Sequence, residues 1–153
     1  MMHAVRAALF RAWGRLPKAF RRRVVRLLSP SFTVGANCVV VDERGYVVLV
    51  RHSYRADWGL PGGLIGRREE PDVAAVRETR EEIGLEVTLA GPPQVIMTAN
   101  LQQIDFVFRA SPVSGSTAAP RSAEIIEVAW FALDALPALQ RDARESLDAL
   151  GLI

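Results

Sequence analysis

From Phe32 onward the chain alternates short apolar runs with polar turns. Phe32 to Val41 is apolar and β-branched, Asp42-Glu43-Arg44-Gly45 is a turn, and Tyr46 to Arg51 is a second apolar run. Two such runs joined by a short turn are expected to pair as a hairpin. Residues 53–58 form a loop, and Gly59 to Gly63 leads into a charged segment. There the apolar period lengthens to that of a helix, with Val73, Val76, Thr79 and Ile83 recurring at intervals of three and four. Pro71-Asp72 suits a helix start, with an acid at the positive end of the dipole, and Gly84 suits a left-handed stop. Leu85 to Leu89, Val95 to Ala99 and Gln103 to Ala110 are extended, the last alternating through Ile104, Phe106 and Phe108. Ser111 to Arg121 is rich in Ser, Ala and Pro and is expected to be a mobile loop. Ile125 to Phe131 is a further strand, and Pro137 to Leu150 a terminal helix. Strands interleaved with helices predict an α/β fold in which a mixed sheet lies between helices. There is no internal repeat and no second globular domain.

Residues 1–29 follow a different rule. They carry eight basic side chains (Arg6, Arg11, Arg15, Lys18, Arg21, Arg22, Arg23, Arg26) and no acid, whereas residues 30–153 carry 11 basic and 17 acidic residues, a net of −6. Apolar residues are interleaved with the arginines, and Pro17 divides the segment into two short helical pieces. The chain therefore divides into a basic amphipathic helical arm, 1–29, and an acidic domain, 30–153. The arm lacks the uninterrupted apolar core and small-residue cleavage site of a secretory signal. Three destinations are open to it: packing on the acidic domain or on a second subunit as a homodimer, peripheral contact with an anionic membrane surface, and nucleic acid. A basic arm alone is weak support for the last, so no nucleic-acid partner is expected.

At 153 residues with 50% hydrophobic content, the chain can bury one sizeable core. The single cysteine, Cys38, excludes an intramolecular disulfide and fits a buried position in a strand. No apolar run approaches the ~20 residues that span a bilayer. A cytoplasmic protein is the expectation, with peripheral membrane contact as the alternative.

The chemistry concentrates between Gly63 and Leu85. Setting Val76 at zero and turning about 100° per residue puts Thr79 and Ile83 near −60° and −20° and Val73 near +60°, a stripe expected to face a sheet. Glu81, Glu78 and Glu82 then fall at roughly 140°, 200° and 240°, away from that stripe. Three carboxylates so close destabilise a helix by like-charge repulsion unless something offsets it. A hard divalent cation is the candidate, because Mg²⁺ and Mn²⁺ favour carboxylate oxygens and share them with phosphates. Arg77, one turn before Glu81, can hydrogen-bond to it. The competing reading is a solvated face laced with salt bridges. The glycines at both ends and Glu69 at fixed distance, after Trp58-Gly59-Leu60-Pro61-Gly62, argue against it.

The spacing G-x5-E-x7-R-E-U-x-E-E-x-G-U, with U aliphatic, resembles the signature of the Nudix hydrolases. Gly63, Glu69, Arg77, Glu78, Glu81, Glu82, Gly84 and Leu85 all fall in register, with Thr79 replacing the first aliphatic residue. The resemblance covers 23 residues of motif and extends through the flanking strands from about Ser31 to Leu150. It implies a Nudix-type α/β/α sandwich and metal-dependent hydrolysis of a pyrophosphate bond in a nucleoside diphosphate linked to another moiety. It further implies that Glu78, Glu81 and Glu82 hold Mg²⁺ or Mn²⁺ beside the Gly63 backbone. Arg77 would orient a carboxylate, Glu69 would brace the loop, and either Glu81 or Glu82 would act as base. The reading keeps two alternatives: a non-catalytic nucleotide-binding regulator, and a membrane-recruited hydrolase of a lipid-linked or isoprenoid diphosphate.

Outside the motif, Glu124 and Glu127 stand where relatives place an additional acid, or are ordinary surface acids. Arg51, Tyr54 and Arg55 are candidate substrate contacts or a solvated loop. Trp58 is a candidate for stacking on a base or a core residue, and His52 is assigned no role. The markers of ADP-ribose and dinucleoside-polyphosphate relatives are missing at Asn100-Leu101-Gln102-Gln103, and only the first part of the coenzyme A signature is matched. A small-molecule nucleotide substrate is expected without a narrower identity.

Overall fold

The computed structural model describes residues 2–153, with the side chains of residue 6 and residues 10–153. It comprises two compact units, Met1–Phe32 and Thr33–Ile153. The first is a pair of helices, α1 (Met2–Arg15) and α2 (Lys18–Leu28), separated at Pro17, whose backbone is extended at φ −53° and ψ 141°. No helix among the described residues is long and apolar enough to cross a membrane.

The second unit is built on β1 (Thr33–Val40), which has a partner on each edge. It runs antiparallel to β3 (Gly62–Leu64) and parallel to β6 (Gln103–Pro112). Strand β6 also pairs with β4 (Val87–Leu89) and β5 (Gln94–Thr98), both antiparallel. A second ladder joins β2 (Tyr46–His52) to β7 (Ile125–Ala132). The hairpin expected between the first two strands is therefore only a turn. Asp42 accepts from the Arg44 and Tyr46 amides at 3.0 and 2.9 Å, and one bridge links Val41 to Val47. Beyond it the strands separate, because both edges of β1 are already filled and β2 finds its hydrogen bonds on β7.

Successive side chains on a strand point to opposite faces, and here both faces are covered. Ala36, Cys38 and Val40 of β1, Val48 and Val50 of β2, and Phe108 and Ala110 of β6 pack with α3 (Pro71–Ile83) through Ala74, Ala75 and Ile83. Val39, Val47, Leu49 and Val107 face the other way, against Ala143 and Leu147 of α4 (Arg141–Ala149). The result is the α/β/α sandwich that the alternation of strands and helices predicts. Helix α4 begins at Arg141 rather than Pro137, because the segment before it exchanges backbone bonds with Trp58, which donates to the Ala138 carbonyl and accepts from the Gln140 amide.

The segment expected to be a mobile loop, 111–121, is pinned. The Ala119 and Arg121 amides donate to the Ile83 and Glu82 carbonyls at 2.9 and 2.8 Å, satisfying acceptors that the end of α3 leaves open. Gly84 closes that helix at φ 68°, as its position predicts.

Strand β3 tolerates no side chain at Gly62. Its φ is +155°, and a β-carbon there would lie 2.5 Å from the Ala36 carbonyl oxygen and 2.7 Å from the Asn37 Cα. Gly62→Ala is expected to lower stability by about 1–3 kcal/mol through overpacking against backbone that cannot yield, measured by urea unfolding.

Candidate active site

Helix α3 presents only part of its expected stripe to the sheet: Thr79 and Ile83 are buried, while Val73 and Val76 are not. Its buried residues are Ala74, Ala75, Thr79, Glu82 and Ile83, while Val73 is 55% exposed and Val76 only partly covered. The helix is rolled so that its small residues meet β1, where the Cys38 thiol lies 3.6 Å from the Ala75 carbonyl. Thr79 satisfies its hydroxyl on the same carbonyl at 2.8 Å. Burial holds the Cys38 thiol up at about 11, so it stays protonated and inert. The same roll carries Glu82 inward, leaving it 7% exposed.

Arg77 organises the other acids. Its Nε and Nη2 donate to the two oxygens of Glu69 at 2.7 and 2.9 Å, and Nη1 donates to Glu78 at 2.7 Å and to Glu81 at 3.1 Å. Glu69 also accepts from the Gly66 amide at 2.6 Å, tying the loop to the helix. The hydrogen bonds from Arg77, then that from Gly66, hold the Glu69 carboxyl down at about 2. The strongest partner of Arg77 is thus Glu69, not the Glu81 that helical spacing suggests.

Glu82 stands apart. Its Oε2 accepts from the Gly62 amide at 3.0 Å, and no cation pairs with it among the described residues. Burial, chiefly, raises its carboxyl to about 7; the Gly62 bond opposes this, and the charges of Glu78 and Glu124 add to it. Gly63 lies against Glu78, where a β-carbon would meet the carboxylate carbon at 2.6 Å.

Among the described residues no three His, Cys, Asp or Glu side chains converge into a ready cage, and Arg77 Nη1 lies between Glu78 and Glu81. The residues nonetheless fit a hard divalent cation. A buried carboxylate without a counter-charge, two further carboxylates one turn away or less, and a glycine that lets backbone approach them form an all-oxygen donor set.

Strand β3 also borders a cavity of about 250 Å³, lined by Gly62, Gly63, Asn37, Asp105 and Gln140, with Tyr54, Arg55, His52 and Asp142. Its position follows from the two parallel central strands. Gly35, Asn37 and Val39 share one face of β1, and Gln103, Asp105 and Val107 share that face of β6. At the Val39 and Val107 end this face is core, and at the other end the side chains turn polar. Asp105 is 8% exposed, accepts from Gln103 Nε2 at 2.8 Å, and is raised by burial. Gly35 stands opposite it in register, and a β-carbon there would lie 2.5 Å from its Oδ1. Gln140 accepts from Arg55 at 2.5 Å and donates to the Asp57 carbonyl at 2.9 Å. Burial and then the Arg55 charge keep His52 below its ordinary value.

Of the candidate contacts read from the sequence, Tyr54 and Arg55 line this cavity, whereas Arg51 and Trp58 do not. Arg51 pairs with Glu127 across the β2–β7 ladder and lies over the Trp58 ring at 5.7 Å, while Trp58 meets Phe131 edge-on. Glu127 is therefore occupied, and Glu124 is the acid whose charge reaches Glu82. Asn37, Asp105, Gln140 and Asp142 were missed. Only a lone Asp within an apolar strand and a Gly-x-Asn in another hinted at them.

The family model described as the NUDIX domain matches residues 31–150. The chain belongs to the Nudix family. It is 35% identical over 131 residues to the CMP-5'-(N-acetyl-N-hydroxy-3-aminopropyl)phosphonate hydrolase of Streptomyces rubellomurinus, a match covering 78% of this chain and 62% of that protein. Among solved structures, a NUDIX hydrolase from Nitrosomonas europaea superposes with a TM-score of 0.69 at 25% identity, over 78% of this chain and 69% of that one. A MutT NUDIX hydrolase from Burkholderia pseudomallei superposes at 0.67 and 27% identity, over 79% and 99%.

Because the folded state holds the Glu82 proton more tightly than the ordinary value of 4.5, the chain loses stability as pH rises from there to about 7. Glu82→Gln removes that penalty. In metal-free buffer its gain over the native chain should be near zero at about pH 4 and grow to the order of 3 kcal/mol above pH ~7, measured by urea unfolding across the range.

Proposed function

We propose that the chain hydrolyses a pyrophosphate bond in a nucleoside diphosphate linked to another moiety, or in a nucleoside triphosphate, with Mg²⁺ or Mn²⁺ held by Glu78, Glu81 and Glu82 beside the Gly63 backbone. The observation that carries this is Glu82: a buried, cation-free carboxylate held on the strand that also borders the cavity. Water adds to one phosphorus, the bridging P–O bond breaks, and the leaving phosphate takes up the electron pair. A divalent ion, when bound, neutralises phosphate charge and acidifies the attacking water.

The chain's own residues supply the rest. Arg77, clamped on Glu69, fixes the loop against the helix and would keep that anchor if Glu78 and Glu81 turned to hold the cation. Glu82, buried beside Gly62, and Glu81, more exposed, are the two candidate bases toward the attacking water. The cavity beside β3 receives the nucleoside. Its lining mixes the donors Arg55 and Gln140 with the acceptor Asp105, a set suited to the edge of a base rather than to a bare sugar or a fatty chain. The similarity to the Streptomyces rubellomurinus phosphonate hydrolase, whose named substrate carries CMP, supports a nucleotide-linked compound.

A panel of nucleotide sugars, ADP-ribose, CDP-alcohols, diadenosine polyphosphates, and normal and oxidised nucleoside triphosphates, run with Mg²⁺ and with Mn²⁺, tests the reading. Glu81→Gln and Glu82→Gln should each lower turnover of the cleaved compound at least ~10²-fold. Full rates in both variants, or a blank panel, would remove it. Asp105→Asn should instead leave kcat within about threefold and raise KM about tenfold or more, with the change differing between bases, as expected for a group that binds without reacting. An equal change for every base would place Asp105 outside recognition.

A further inference from the structure

Helix α2 carries a second cluster of like charges, with nothing inside its own segment to offset it. Turning about 100° per residue, Leu27, Phe20, Val24 and Leu28 fall within a 100° arc, with Arg23 and Arg21 on its two margins. Lys18, Arg22 and Arg26 occupy the opposite side at successive i,i+4 positions, where like charges repel. No acid occurs in residues 1–29. Most of the apolar arc is equally unmatched, with only Val24 partly covered. No residue of α2 is buried, and Phe20, Leu27 and Leu28 are 52%, 77% and 81% exposed. The helix has eleven residues, no side-chain cap and no acid in its first turn, too little for independent stability in water.

We infer that α2 is an interfacial helix that seats on an anionic phospholipid bilayer. Such a surface answers both deficits at once. The acyl boundary covers the Phe20, Val24, Leu27 and Leu28 arc, and the headgroup phosphates neutralise Lys18, Arg22 and Arg26 above it, with Arg21 and Arg23 at the waterline. A protein groove would cover the apolar arc, but would need a matching row of acids on its rim. A nucleic acid would match the arginines and leave the exposed Phe20, Leu27 and Leu28 in water. The bilayer is the occupant whose chemistry changes sign across the same few ångströms as the helix does. Anchoring by one short helix is reversible, so the chain exchanges between the surface and solution. The inference does not rest on the substrate, because binding is read without catalysis.

The test is co-sedimentation of the full-length chain with vesicles of phosphatidylcholine containing about a third phosphatidylserine, against phosphatidylcholine alone. The anionic vesicles should pellet at least ~10-fold more protein, and the excess should fall several-fold between about 0.05 and 0.5 M salt. Leu27→Asp with Leu28→Asp, and separately Arg22→Glu with Arg26→Glu, should each lower the bound fraction at least ~5-fold. Neither pair should move the thermal midpoint of the unit Thr33–Ile153, since all four side chains are exposed. No pelleting with anionic vesicles, or pelleting unaffected by both pairs, overturns the assignment. So does sedimentation velocity showing a dimer that the leucine pair dissolves, which would give the face to a second copy. Tighter binding of a short RNA duplex than of the vesicles would give it to nucleic acid.

Discussion

Everything at the candidate site depends on how three acids and a guanidinium share one turn of helix. Glu78, Glu81 and Glu82 cannot sit this close on α3 without an offset. Arg77 provides part of it, because its planar fork reaches Glu69, Glu78 and Glu81 together. A lysine would offer one point of charge and could not clamp Glu69 with two parallel bonds while a third nitrogen face turns to the helix. The clamp leaves Glu82 out, and burial then makes that carboxylate reluctant to ionise. The site is therefore charged unevenly by construction, with two acids paired to Arg77 and one without a counter-charge among the described residues.

The glycines set the distance over which that unevenness matters. Strand β3 is thin enough that the Gly62 amide reaches Glu82 and the Gly63 backbone meets the Glu78 carboxylate, while both residues border the cavity. Gly35 does the same for Asp105, whose carboxylate occupies the space a β-carbon would take. A side chain at any of these positions would collide with groups that are now in contact. The parallel register of β1 and β6 then decides where core ends and cavity begins, since Val39 and Val107 share a face with Asn37 and Asp105. One sheet face serves both the core and the cavity wall, divided along its length rather than between layers.

The motif was legible because its chemistry is local. Glycine, acid and arginine positions fall within 23 residues, and their spacing restricts them to one loop and one helix. The helix ends were legible for the same reason, with Pro71 and Gly84 each acting within a turn. Rotation of α3 was not, because apolar periodicity assumes that the largest aliphatic residues face the core. Here Ala74, Ala75 and Thr79 allow closer approach to β1 than Val73 would, and the helix follows the smaller side chains. The pairing of β2 was also hidden. A short turn after β1 favours a hairpin locally, but a strand with both edges taken has no hydrogen bonds to give. The cavity was least visible, since Asn37, Asp105 and Gln140 come from three distant segments that only the parallel register and the start of α4 bring together.

Helices α2 and α3 obey the same electrostatic rule and resolve it differently. Helix α3 carries its compensation within the unit, in an arginine placed one residue before the first of its three clustered acids, and it is anchored at both ends by backbone bonds. Helix α2 has repulsion without an internal counter-charge and an apolar arc that is largely exposed. In a folded unit these two deficits tend to be met by different neighbours, a core for one and an acid for the other. Their coincidence on a single eleven-residue helix requires a partner that is apolar and anionic within one layer. That requirement is what separates a lipid surface from a protein groove or a nucleic acid, and it follows from the placement of Arg21 and Arg23 at the margins of the apolar arc, not from net charge alone.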